Sequence, residues 1–313
     1  MTGTPERPAR DPAEALPARA FSLPRRIDGL GLPVLFVFLW STGFIGAKLG
    51  LPYAGPLAFL ALRYALATVL LALLALATRA PWPRRPQDAV HYAVAGVLVH
   101  GLYLGGVFVG ISLGVEAGAA SLIVSVQPLL VAAVAGLALK ERVGGRQWVG
   151  LGLGLLGVAL ILGRKLGQGV GEAAGVLACV VALLAMTAGT VYQKRFCAGM
   201  DLRSGSAIQF AAAGVSTFLA MLVFEDARIA WSGPFVFALL WLVLVLSLGA
   251  ISLLYLLIRR GTASGVASLF FLVPPSTALL AWLLFGETLG PTALLGMGLT
   301  VVGVALARRP APR

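Results

Sequence analysis

The stretch Ala117–Leu160, AGAASLIVSVQPLLVAAVAGLALKERVGGRQWVGLGLGLLGVAL, returns 146 residues later as Ala263–Leu306, ASGVASLFFLVPPSTALLAWLLFGETLGPTALLGMGLTVVGVAL, without a gap. Fourteen of the 44 pairs are identical, among them Pro128 with Pro274, Glu141 with Glu287, Gly144 with Gly290, and Gly157–Leu160 with Gly303–Leu306. Sequence rich in Ala, Leu and Gly matches itself by chance at roughly one position in eight, so the agreement stands above background. The register extends it. At the same offset Lys48 falls on Lys194, Arg63 on Gln209, and the Trp82–Arg85 loop on Arg228–Trp231. The whole chain therefore reads as two homologous halves.

With 313 residues, 59% apolar and only 12% charged, at a mean hydropathy of +0.95, there are too few charges to cover a soluble globule of this size. The chain belongs in a lipid bilayer. A net charge of +12 raises the question of nucleic acid. The basic residues, however, lie in short gaps between apolar runs and form no patch interleaved with aromatics, so no nucleic-acid partner is expected. Cys179 and Cys197 are the only cysteines and have no metal-ligand or redox spacing. No cofactor and no metal are implied.

Residues 1–29 hold five prolines and five arginines with almost no apolar periodicity, which predicts a disordered basic tail. No short apolar core with a cleavage site precedes the first long apolar run, so a cleaved signal is not expected. Ten apolar runs of spanning length follow, at 33–51, 56–77, 88–112, 115–139, 145–163, 171–193, 204–224, 234–258, 262–285 and 290–308. Pro and Gly clusters such as Pro81-Trp82-Pro83 and Gly233-Pro234 separate them. With the N-terminus inside, 19 Lys and Arg fall on the cytoplasmic side and only Arg164, Lys165 and Arg228 outside. Both termini, including a short tail at 309–313, are thus expected in the cytoplasm, and the protein in the cell inner membrane.

Five spans per half is an odd number, so the second half enters the membrane upside down. Arg142 and Arg146 fall on Thr288 and Thr292, and Arg259 on Leu113: the apolar scaffold is copied while positive charge stays on one side. The expected fold is an all-α polytopic membrane protein of ten transmembrane helices in two inverted-topology repeats, residues 30–165 and 171–308. Such repeats are typical of alternating-access transporters with a midplane binding site.

Leu39-Trp40-Ser41-Thr42-Gly43-Phe44 with Lys48, Leu60-Ala61-Leu62-Arg63-Tyr64, Gln127-Pro128, Lys140-Glu141-Arg142 and Gly150, then Pro274 and Gly286-Glu287, resemble the EamA-type branch of the drug/metabolite transporter superfamily. The resemblance covers residues 33–308. It implies a carrier, often an exporter of amino acids, related metabolites or drugs, with a central cavity formed chiefly by spans 1, 3, 4, 6, 8 and 9.

Trp40, Arg63, His100, Tyr103, Ser125 and Gln127 are the candidate substrate-binding residues. Arg63 sits about 10 Å into span 2, where a charge is expensive unless it faces protein or water. It contacts an anion, or it is a scaffold arginine bonded to carbonyls or snorkelling outward. Lys48 and Lys194, near span ends, are expected to snorkel. His100 and Tyr103 lie mid-span in one half only, opposite Leu246 and Gly249; the histidine belongs to a pocket or to an internal hydrogen bond. Trp40 and Phe44 line the same pocket or simply pack. Pro128 and Pro274 are structural, expected near the centres of spans 4 and 9 as kinks that free a carbonyl. Glu141 and Glu287 are structural too, each expected near the N-terminus of the helix that follows it. Gly150, Gly152, Gly154 and Gly157, with Gly296, Gly298 and Gly303, form a small-residue face for helix contact, which leaves a homodimer open. No span carries a mid-membrane carboxylate; Glu116, at an outer edge, comes nearest.

The expectation is a non-enzymatic secondary transporter that moves a small amphipathic metabolite such as an amino acid outward. A non-transporting scaffold and an intramembrane enzyme are the rivals. The enzyme lacks a nucleophile–base pair in the spans, and the scaffold leaves Arg63 and His100 without a task.

Overall fold

A computed structural model describes residues 31–115, 120, 123–141, 143–162, 173–285 and 290–307. Glu116, Arg142, Glu287 and both tails lie outside the described residues, as do the side chains of Phe44 and Lys48. In chain order the helices are α1 (Gly31–Tyr53), α2 (Pro56–Ala77), α3 (Pro86–Ser112), α4 (Gln127–Ala138), α5 (Gly145–Ile161), α6 (Ala173–Phe196), α7 (Leu202–Phe224), α8 (Gly233–Arg260), α9 (Ala263–Leu284) and α10 (Pro291–Ala307). Seven of them, all but α4, α5 and α10, are long and apolar enough to cross a membrane. We call the end of the bundle where α1 begins the near face and the other end the far face.

The helix ends follow from local chemistry. Pro56, Pro86, Pro234 and Pro291 stand in first turns, where a missing N–H costs nothing. Asp201, Ser232 and Thr262 accept backbone N–H bonds at the starts of α7, α8 and α9. Arg79 and Lys140 take positive φ (50° and 55°) just past α2 and α4, the left-handed conformation that ends a helix.

Two irregularities occur once in each half, at matching positions. Helix α3 widens into a π-helical segment at Val97–Leu102 and α8 does so at Leu242–Ala250. Near the prolines, the helix is interrupted. A turn at Ser125–Val126 precedes α4, whose first turn holds Pro128; in α9 a 3₁₀ segment, Ser268–Leu272, precedes Val273 and Pro274. The expectation of a continuous span over 115–139 with Pro128 at its centre is therefore corrected. Proline cannot donate to the preceding turn, so the chain breaks there and restarts with proline in the first turn.

The packing partners come in mirrored sets. Helix α3 packs on α6 as α8 packs on α1, and α4 on α6 as α9 on α1; α2 pairs with α7, α4 with α9, and α5 with α10. The glycine face closes the last pair. A Cβ on Gly157 would stand 2.5 Å from the Gly296 carbonyl oxygen, and one on Gly303 would stand 2.6 Å from that of Gly150. Gly154 packs under the Phe271 ring. These glycines are thus occupied within the chain, while Gly152 and Gly298 meet nothing within 4 Å. Outward-facing Leu137 and Phe224 are 89% and 81% exposed among many other large apolar side chains, a surface suited to lipid and not to water.

Candidate functional site

The interrupted helices enclose a two-lobed cavity. One lobe is lined by Arg63 of α2, Trp40, Gly43 and Ala47 of α1, Tyr103 of α3 and Leu246 of α8. The other is lined by Ser125, Gln127, Met186, Phe270 and Pro274. Trp40, Tyr103, Val107 and Ile111 belong to both lobes, so the two share a wall. At Leu51, Phe108 and Ile111 the first lobe meets an outer pocket rimmed by Pro52–Pro56 and Arg228. The cavity therefore leads to the far face.

Arg63 is 4% exposed. Its Nε donates to Ser247 Oγ at 3.0 Å, and the Ser247 hydroxyl donates in turn to the Leu242 carbonyl at 3.1 Å, five residues back. That second bond runs inside the π-helical segment of α8. It spends the serine proton on the backbone and leaves a lone pair for the guanidinium. Arg63 also lies 6.0 Å from the Tyr64 ring centroid. Among the described residues no carboxylate pairs with Arg63, and none lines either lobe. Arg63 is not snorkelling; among the described residues a single neutral acceptor holds its charge at the cavity wall.

Gln127, at the start of α4, is 1% exposed. Its Nε2 donates to Thr190 Oγ1 at 3.3 Å, and its Oε1 has no hydrogen-bond partner. Ser125 sits beside it in the turn that breaks the helix. Trp40 packs edge-on against Phe270 at 5.1 Å and tilted on Phe36 at 5.3 Å. Among the described residues the wall is thus mostly aromatic and apolar, with the Arg63 cation on one lobe and, on the other, Gln127, whose buried amide oxygen has no partner.

His100 is not on that wall. The π-helical segment of α3 carries its ring into the contact between α3, α7 and α8. It stacks on Phe210 (4.3 Å, 14°), and the Tyr255 hydroxyl lies 3.0 Å from Nε2. Tyr64 Oη donates to the His100 carbonyl at 2.9 Å. Nδ1 is buried without a partner. Of the six candidate residues, the cavity brings together Trp40, Arg63, Tyr103, Ser125 and Gln127, and leaves His100 aside.

The structural candidates also have specific partners. Glu141 accepts from Ala263 N (2.8 Å) and from Ser264 N and Oγ (3.4 and 3.1 Å), at the N-terminus of α9 in the other half. The expected partner, α5, instead has Gln147 Oε1 on its Gly144 N–H. Lys194 does not snorkel. Its Nζ donates to the Ile258 and Gly261 carbonyls at the C-terminal end of α8, where a cation is favoured. Nothing in the sequence alone marks Ser247, Glu225 and Phe270. Glu225 accepts from Leu57 N and Ala58 N (2.7 and 3.1 Å) at the start of α2. Only its position at a helix end hinted at that.

The model of the EamA-like transporter family matches the chain twice, over residues 28–163 and 173–309. The uncharacterized transporter YvbV of Bacillus subtilis is 30% identical over 286 residues, covering 91% of this chain and 92% of its own length. A Streptantibioticus cattleyicolor protein named "Probable terminal-alkyne amino-acid exporter" is 29% identical, covering 88% of this chain and 92% of its own. The Salmonella typhimurium "Probable amino-acid metabolite efflux pump" is 27% identical, covering 89% and 94%. One solved crystal structure superimposes with a TM-score of 0.75 at 22% identity, covering 88% of this chain and 94% of that one, a likeness of fold alone. Matched over both halves, the chain is a multi-pass membrane protein of the EamA-like transporter family.

Proposed function

We propose that this protein is a secondary transporter that exports an amino acid or a closely related amphipathic molecule by alternating access through the two-lobed cavity. Arg63 binds the substrate carboxylate. Gln127 Oε1 and Ser125 receive its donor groups, and Trp40 and Tyr103 hold its apolar part between the lobes. The observation that carries this reading is the pairing of a buried cation lacking any described counter-charge with an unsatisfied amide oxygen on one aromatic cavity. Leaving such groups dry and unpartnered is costly, and a carboxylate with hydrogen-bond donors matches both. An organic cation would find no carboxylate among the described lining residues. The relatives named as amino-acid exporters and efflux pumps support the substrate class and the outward direction.

We also infer that all ten apolar runs cross the membrane, the three shorter helices together with the chain that flanks them, as two inverted repeats, residues 30–165 and 171–308, in the cell inner membrane with the near face cytoplasmic. The mirrored packing partners, the paired π-helical segments and the two family matches support the repeats. The described loop cations support the orientation: Arg79, Arg84, Arg85, Lys140, Arg195 and Arg260 gather at the near face, against Arg228 at the far face.

Thermal stabilisation of the detergent-purified protein across amino acids, nucleosides and organic cations tests this. A ligand bound by the folded state raises Tm. Stabilisation confined to carboxylate-bearing amphipathic compounds is expected. Stabilisation by organic cations alone would overturn the assignment of Arg63 and Gln127.

A further inference from the structure

The 146-residue offset maps the wall of the Arg63 lobe onto a second set of residues near the opposite face. Arg63 falls on Gln209, Leu246 on His100, Ala47 on Gln193, Phe108 on Leu254, and Leu51, at the mouth, on Cys197. In the first set these side chains surround open space. In the second they are packed shut: Gln209, His100, Gln193, Leu254 and Cys197 are each 2% exposed or less. Polar contacts seal the set. Gln209 Nε2 donates to Gln193 Oε1 at 2.8 Å, tying α7 to α6, and His100 meets Tyr255, tying α3 to α8. The seal is incomplete, since Gln209 Oε1 and His100 Nδ1 are buried without partners.

We propose that Gln209, Gln193 and His100 form the near-face counterpart of the cavity, closed here and opened to the substrate when the far-face lobe closes. This rests on the inverted-repeat reading above. Two homologous halves of opposite orientation can exchange conformations, so the arrangement around Arg63 in one half is the template for that around Gln209 in the other. The two unsatisfied atoms acquire a purpose. On opening, Gln209 Oε1 and His100 Nδ1 meet water and the donor groups of the same amphipathic carboxylate, a polar path that the closed state keeps dry. The set is neutral where the far lobe is cationic, so it provides passage without a second fixed charge.

The native thiol of Cys197 reports this opening, because its repeat partner Leu51 lines the mouth of the open lobe. In a Cys179→Ala background, the labelling rate of Cys197 by N-ethylmaleimide is measured on the full-length protein in liposomes. In a parallel background of Cys179→Ala, Cys197→Ala and Leu51→Cys, the same reagent reads the far mouth. Gln209→Arg places an unpaired charge in the closed set, which only opening to water relieves. It is expected to raise Cys197 labelling about tenfold or more and to lower labelling at position 51. Gln193→Ala, which removes the partner of the Gln209 amide, shifts both rates the same way by about threefold. It decides the matter if Gln209→Arg does not yield folded protein. Unchanged Cys197 labelling in a folded variant, or a rise at both ends together, would overturn the proposal. No substrate is needed, so failure here leaves the Arg63 site standing, and failure of the ligand panel leaves this test intact.

Discussion

Replacing Arg63 with glutamine removes the one charge that the described residues place on the cavity wall while keeping an amide able to reach Ser247 Oγ, now 3.0 Å from Nε. The guanidinium carries five N–H donors, and the described structure gives it a single hydrogen-bond acceptor. Two unit charges 4 Å apart attract by about 4 kcal/mol at an effective dielectric near 20. After the cost of stripping water from the carboxylate, a charged hydrogen bond nets about 1.5–3 kcal/mol, or about 10- to 150-fold in Kd. The assay compares binding of an amino acid with that of its carboxamide, by thermal shift or calorimetry. The wild type favours the acid by about that ratio, and Arg63→Gln brings the ratio towards one. Arg63→Lys, a point charge without the planar fork, falls between them. A purely structural arginine would weaken both ligands alike. An acid-to-amide preference unchanged in folded Arg63→Gln would therefore refute the carboxylate contact.

Three further outcomes follow from the packing. Gly157→Ala puts a Cβ 2.5 Å from the Gly296 oxygen and 2.7 Å from the Thr300 nitrogen, backbone atoms that no rotamer change can move. It should cost about 1–3 kcal/mol and lower the apparent Tm, whereas Gly152→Ala, with nothing within 4 Å, leaves Tm unchanged or raised. Glu141→Ala removes the acceptor for three donors at the start of α9 and should cost about 1 kcal/mol or more, with Glu141→Gln losing less in the same melting assay. At Asp201, outside the spans, partial burial works to raise the carboxyl pKa, but hydrogen bonds from the Arg203 side chain and backbone outweigh it and hold the group below its ordinary value. A depressed folded pKa means stability present above the unfolded value and lost as pH falls through the folded one. The Tm gap between wild type and Asp201→Asn should thus be full near neutral pH and close below about pH 4; a gap that widens in acid would contradict the sign.

Most of the scaffold is legible in the sequence because lipid imposes a simple rule: runs of spanning length separated by Pro and Gly. The α2 boundaries read from the sequence, 56–77, are those of the structure, since Pro56 fixes the start. The break before α4 was not legible, because a proline in an apolar run is equally consistent with a kink and with a restart. At the site, Trp40, Arg63, Tyr103, Ser125 and Gln127 stood out as polar or aromatic groups at membrane depth, and the cavity gathers them. His100 carried the same signal and points elsewhere. Its direction depends on the π-helical segment Val97–Leu102, which shifts the helical register and has no marker in the sequence. Ser247 was hidden for a related reason: it lies opposite Gly101 in the repeat and acquires its role only through the widened turn of α8. The partner of Glu141 was misplaced because capping of the next helix is the local choice, while α9 arrives only through tertiary packing.

The central claim is that the two-lobed cavity carries the substrate, and the most direct measurement is flux through it. Proteoliposomes holding purified protein would be loaded with a panel of labelled amino acids and efflux followed for the wild type and for Ala47→Trp, which fills the Arg63 lobe from its lining. Efflux of at least one amphipathic amino acid by the wild type, abolished by Ala47→Trp in protein that folds and melts normally, is the predicted result. Efflux that persists undiminished with the lobe filled would contradict the account.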